Sequence, residues 1–147
     1  MNINNELEKM IVVYKKENIN MGIRKSDFDS KNFNYKRGQI VVVDLGDNGV
    51  GSEQNGKRPC IVVQNNMGNR FSPTLIVAPI TGQINKKPLP THVKLDSQKY
   101  CLEKDSTILT EQVKVISKMR CKHFIGELEE SDLLRLNRSL AISLGLN

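Results

Sequence analysis

The chain has 147 residues, a net charge of +6 at pH 7, 38% hydrophobic and 26% charged residues, and a mean hydropathy of -0.40. These values describe one soluble globular domain or a domain with a short appendage, and they exclude a disordered chain. No apolar run approaches the roughly 20 residues of a membrane span, and the Asn- and Glu-rich start Met1–Glu8 does not read as a signal peptide.

The protein is therefore expected in the cytoplasm, with no membrane partner. Cys60, Cys101 and Cys121 are odd in number, widely spaced and without a CxxC pair, as thiols in a reducing compartment are. His92 and His123 are the two histidines and no HExxH occurs, so neither a metal nor a cofactor is expected. Residues 1–35 carry six basic and five acidic side chains, which leaves an excess of five positive charges in residues 36–147. A basic domain favours polyanions through counterion release, although charge alone is also compatible with a merely soluble protein.

In chain order, Ile3, Leu7, Met10, Ile11 and Tyr14 recur at helical spacing, and Asn5 and Glu8 stand like a capping box. They predict a helix from near Glu6 to Lys16. Asn18–Asn34 is polar, contains Gly22 and reads as a linker. From Lys36 short β-branched runs alternate with turn residues. Strands are predicted at Gln39–Leu45, Pro59–Gln64, Leu75–Thr81, His92–Leu95, Thr107–Ile116 and Arg120–Leu128, the last two joined at Ser117–Met119. Between them lie a four-glycine loop at Gly46–Gly56, a turn-rich connection at Asn65–Pro73 and a basic loop at Gly82–Pro90. A final helix carries Glu129, Glu130 and Asp132 at its start, where the dipole favours anions, then Leu133, Leu136, Leu140 and Leu144 on one face and Gly145 as a cap. The architecture is mainly β: a small bent sheet or barrel closed by a C-terminal helix. The proposed division is residues 1–35 as an extension and 36–147 as the main domain.

Polar residues inside strand signals are the candidates for chemistry. Pro59 pushes Arg58 into an extended backbone, so its guanidinium projects from a strand rim. Thr81 places a hydroxyl at the exit of the next strand. If the two strands are adjacent and antiparallel, Arg58 and Thr81 share one rim, and a guanidinium fork plus a hydroxyl suits a phosphate. A surface ion pair of Arg58 with Glu53 or Asp47, and a strand-end threonine with no role, remain open at this point. Lys86 and Lys87 in the basic loop are candidates for backbone contacts or simply solvated.

At these same residues the chain resembles the MazF/PemK toxin family, closest to the branch of Gram-positive bacteria. The resemblance rests on Arg37-Gly38-Gln39-Ile40, Gly51-Ser52-Glu53-Gln54 with Arg58-Pro59-Cys60-Ile61-Val62-Val63-Gln64-Asn65, and Gly68-Asn69-Arg70-Phe71-Ser72-Pro73-Thr74. It continues through Ile80-Thr81, Lys87-Pro88-Leu89-Pro90-Thr91-His92-Val93, Asp105-Ser106-Thr107-Ile108-Leu109-Thr110-Glu111-Gln112 and the closing leucine-rich helix. It runs from about Arg37 to Leu146. It implies an SH3-like β-barrel that forms a homodimer, and a toxin of a toxin–antitoxin pair that cuts single-stranded RNA without a metal. The products implied are a 2′,3′-cyclic phosphate and a 5′-hydroxyl. A cognate antitoxin is implied as partner, with DNA reached only through it. By motif, Arg58 and Thr81 are catalytic; Ser52, Glu53 and Gln54 lie in a mobile loop beside them; Asn69, Arg70, Lys86, Lys87 and Gln112 contact RNA. Residues 1–35 are an addition to the family pattern. A non-cleaving binding barrel and a gyrase-directed toxin are the alternatives.

Overall fold

A computed structural model of the chain describes residues 27–82 and 87–146. The predicted helix near Glu6–Lys16 and the candidate Lys86 lie outside the described residues.

Seven strands, β1 (Gln39–Asp44), β2 (Lys57–Val62), β3 (Thr74–Thr81), β4 (His92–Leu95), β5 (Ser106–Leu109), β6 (Lys114–Ser117) and β7 (Cys121–Glu127), form one bent antiparallel sheet. A short helix α1 (Asn66–Phe71) follows β2, and α2 (Glu130–Leu144) closes the chain. The strand order is β4-β5-β3-β2-β1-β7, with β6 pairing β3 beside it. Because successive side chains of a strand point to opposite faces, β3 feeds two cores. Ala78 and Ile80 join Ile40, Ile61, Ile108 and Leu136 beneath α2. Leu75 and Val77 join Val41, Val43, Cys60 and Val62 on the other side. The leucine stripe foreseen for the last helix turns Leu136 and Leu140 inward. Gly145 ends it in the left-handed region at φ 69°, which glycine adopts without strain.

Three expectations are corrected. Asn65–Pro73 is not only a turn: Asn65 caps α1 by accepting from the Gly68 amide at 2.8 Å. The single strand expected over Thr107–Ile116 is two strands around a 3₁₀ turn at Thr110–Gln112, because Thr110 bends inward. Its hydroxyl donates to the Thr91 carbonyl at 2.6 Å, and its amide donates to the same oxygen. The linker expected up to Asn34 is, in its described part, packed on the sheet. Phe28 and Phe33 have ring centroids 5.0 Å apart, Phe33 lies 5.0 Å from Tyr35 and 5.6 Å from Phe124, and Tyr35 is buried in the second core. Among the described residues no helix is long and apolar enough to cross a membrane.

Candidate active site

The loop between β1 and β2 opens and closes on two glycines. Gly46 and Gly56 have φ of 80° and 76°, and the Gly56 amide donates to the Gly46 carbonyl at 2.7 Å. This pinch delivers Arg58 to the start of β2. Strands β2 and β3 are adjacent and antiparallel, pairing Cys60 with Pro79 and Val62 with Val77. Arg58 and Thr81 lie two residues beyond the Cys60–Pro79 pair, at the same end of the two strands.

Neutral groups hold the guanidinium. Arg58 Nε donates to the Asn55 carbonyl at 2.7 Å, and Nη1 donates to Gln54 Oε1. Gln54 is fixed in turn, since its amide donates to Gln112 Oε1 at 3.0 Å while Gln112 Nε2 donates to the Ser52 carbonyl at 3.0 Å. Gln112 therefore staples the loop from the 3₁₀ turn beyond β5. Neither Glu53 nor Asp47 pairs with Arg58 among the described residues. The Glu53 carboxylate instead accepts from the Val50 amide at 2.9 Å. The positive charge of Arg58 is oriented without being neutralised, which suits an anionic ligand.

Two clefts flank this rim. One, of about 460 Å³, is lined by Lys57, Arg58, Gly82, Cys101, Lys104 and His123 among others. The other, of about 720 Å³, is lined by Thr81, His92, Lys94, Thr107 and Arg135 among others. Thr81 is 5% exposed, whereas Arg58 is half-buried. His92 Nε2 and Glu111 Oε1 are 2.9 Å apart at the second cleft. No group of three His, Cys, Asp or Glu residues suited to a metal occurs among the described residues.

The remaining candidates separate. Lys87 is exposed at the edge of the undescribed 83–86 stretch. Arg70 is exposed on α1, beyond the opposite end of β2, with its Cζ 5.1 Å over the Phe71 ring. Asn69 is corrected: it is 1% exposed, its amide donates to the Gln64 carbonyl at 2.9 Å, and its oxygen accepts from Gln64 Nε2 at 3.1 Å. A buried amide bonded on both sides holds α1 to the sheet and has nothing left for RNA. The Gln112 staple was not foreseen, because its partners lie 58 and 60 residues away in the chain.

Comparison with known proteins shows the family and the fold. Residues 36–144 match the family described as PemK-like, MazF-like toxin of type II toxin–antitoxin system. An endoribonuclease MazF of Staphylococcus epidermidis is 47% identical over 112 residues, covering 76% of this chain and 92% of that protein. Among solved structures, MazF from Deinococcus radiodurans aligns with a TM-score of 0.65 at 21% identity, over 78% of this chain and 99% of that one. An endoribonuclease in complex with its cognate antitoxin from a mycobacterial species aligns with a TM-score of 0.63 at 23% identity, over 77% and 97%. At such identities the structural matches speak for the fold.

Proposed function

The chain belongs to the PemK-like, MazF-like toxin family of type II toxin–antitoxin systems and is an endoribonuclease of that kind; from this premise we propose that it cuts single-stranded RNA at the Arg58–Thr81 rim without a metal. The ribose 2′-hydroxyl attacks the adjacent phosphorus and the 5′-oxygen leaves, giving a 2′,3′-cyclic phosphate and a 5′-hydroxyl. Arg58 stabilises the charge that builds on the phosphorane oxygens, and the Thr81 hydroxyl donates to a non-bridging oxygen. Arginine is a poor proton acceptor, with a pKa above about 12. Glu53 or a water takes the 2′-proton, and a water held by Arg58 protonates the leaving oxygen. Since Glu53 now binds the Val50 amide, its use requires the loop to shift. Lys87 and Lys86 track the backbone.

The observation that carries this reading is the fork of Arg58, held by neutral groups on the strand next to that of Thr81. The test is incubation with a long single-stranded RNA in EDTA. Cleavage should persist, and the fragments should accept phosphate from polynucleotide kinase without prior phosphatase treatment. Thr81→Ser should retain much of the rate and Thr81→Ala little. Loss of cleavage in EDTA, or equal rates for the two threonine variants, would sink the proposal. Binding without cleavage would favour a sequestering barrel.

The proposed partners are a second copy and a cognate antitoxin. An apolar face supports the homodimer. Met67 and Phe71 are each 69% exposed on α1, and Val115 is 62% exposed and pairs across strands with the exposed Ile76. Lys118 ties this region together, its ammonium donating to the Asn69 carbonyl at 2.6 Å and its amide to that of Pro73 at 3.0 Å. Patches of this kind mark interaction surfaces.

A further inference from the structure

The strand registers line up side chains from three strands beside Arg58. Lys94 on β4 stands opposite Thr107 on β5, and Thr107 opposite Thr81 on β3. The β2–β3 pairing ends at Cys60 opposite Pro79, and Arg58 and Thr81 lie two residues beyond it on their strands. Directly opposed residues share a face, so Lys94, Thr107 and Thr81 form a row perpendicular to the strands, with Arg58 on the neighbouring strand. At about 4.8 Å per strand the row of three runs roughly 10 Å. Lys94, Thr107 and Thr81 all line the 720 Å³ cleft, and Arg58 lines its neighbour.

The outer members of the row are uncommitted. Among the described residues, neither the Lys94 ammonium nor the Thr107 hydroxyl has a hydrogen-bond or ion-pair partner. The backbone under Lys94 is nevertheless held, because Arg135 Nη1 donates to its carbonyl at 2.9 Å. Two carboxylates share the cleft, and both are engaged in shaping the loop after β4. Asp105 Oδ1 accepts from the Ser97 amide at 2.9 Å and hydroxyl at 2.8 Å, and Asp96 Oδ1 accepts from the Gln98 amide at 2.8 Å.

We propose that Thr107 and Lys94 continue the phosphate track beyond the reacting phosphate, so that the RNA crosses β5 and β4 at right angles to the strands. The Thr107 hydroxyl donates to one phosphate oxygen, and the Lys94 ammonium meets the next phosphate as a mobile point charge. This rests on the reading that Arg58 and Thr81 hold the scissile phosphate. Such contacts position the strand and read no bases. Their loss weakens every sequence alike and lowers the salt dependence, by about 0.7 in slope for each phosphate contact to a single strand.

The test begins by mapping the cut site on a long phage RNA. A fluorescein-labelled single-stranded RNA carrying that site, with a 2′-deoxy sugar at the cut, is then titrated by anisotropy over a range of salt. Lys94→Ala should weaken binding roughly threefold to tenfold and lower the salt slope by about 0.7. Lys94→Glu should weaken it further, Lys94→Arg should restore it, and Thr107→Val should give a smaller loss. Trimming the RNA on one side of the cut should abolish these differences. Lys122→Ala, on the exposed side of β7 and outside both clefts, should bind as the unaltered protein does. The inference is overturned if Lys94→Ala and Thr107→Val match the unaltered protein in affinity and slope while Arg58→Ala fails to cut. If the unaltered protein neither binds nor cuts RNA, the active-site reading fails, and this inference with it.

Discussion

The two ends of β2 carry motif residues that the family resemblance assigns to RNA, yet they are built in opposite ways. Where the chain enters β2, the polar groups face outward. Gln54 and the Asn55 carbonyl grip one side of Arg58 and leave its charge uncompensated. Where the chain leaves β2 for α1, the polar groups face inward. Gln64 and Asn69 bond to each other and to the Thr74 and Gln64 carbonyls, and what reaches the surface is Met67 and Phe71. A motif residue is thus chemical or structural according to whether its hydrogen-bonding capacity is spent inside the fold. In the proposed function, the first end offers a cation to a phosphate, and the second an apolar face to a protein.

The sharpest way to break this contrast is Arg58→Ala. It should reduce the cleavage rate by about 10²–10³-fold, the scale of losing one preorganised donor to a transition-state oxyanion, with the thermal melt little changed. Arg58→Lys should stay severely impaired, since a point charge does not reproduce the fork. Near-normal turnover by the lysine variant, measured on a defined RNA, would remove Arg58 from its role.

At the other end, Asn69→Leu should do the reverse. Leaving Gln64 and the neighbouring carbonyl unsatisfied costs about 1–3 kcal/mol, read as a lowered denaturation midpoint, while the folded fraction still cuts RNA at the same positions. A variant of full stability that no longer binds RNA would return Asn69 to the substrate.

Gln112 links the loop to the far side of the sheet. Gln112→Ala removes two loop bonds and frees Gln54, so kcat should fall by roughly tenfold through misplacement of Arg58. Soaking at higher RNA concentration should not rescue it, because the defect lies in positioning and not in affinity. A rise in KM with unchanged kcat would make Gln112 an RNA contact instead.

The smallest effect belongs to Arg70→Ala. On the apolar end of β2, this exposed side chain should change stability by less than about 0.5 kcal/mol and leave cleavage nearly intact. A loss comparable to Arg58→Ala would erase the difference between the two ends.

Much of this was legible in the residues. β-Branched runs marked β1, β2 and β3, and the leucine stripe with Gly145 marked α2, because burial of one face imposes a period that composition reveals. Arg58 and Thr81 were legible as candidates at the ends of two strands, and the antiparallel pairing expected of those strands is observed. α1 was not legible: Asn66-Met67-Gly68-Asn69-Arg70-Phe71 contains poor helix formers and is held by the Asn65 cap and by Gln64 from the sheet.

The sequence by itself determined β1 to β3, the C-terminal helix and the family, since each depends on local pattern or on contiguous motif. Only the tertiary structure decided which motif amides face inward, that Gln112 staples the loop, and that Lys94 and Thr107 fall in line with Thr81. These depend on register and burial between segments distant in the chain, and a hydrogen bond closed across 60 residues leaves no periodic trace in either segment that makes it.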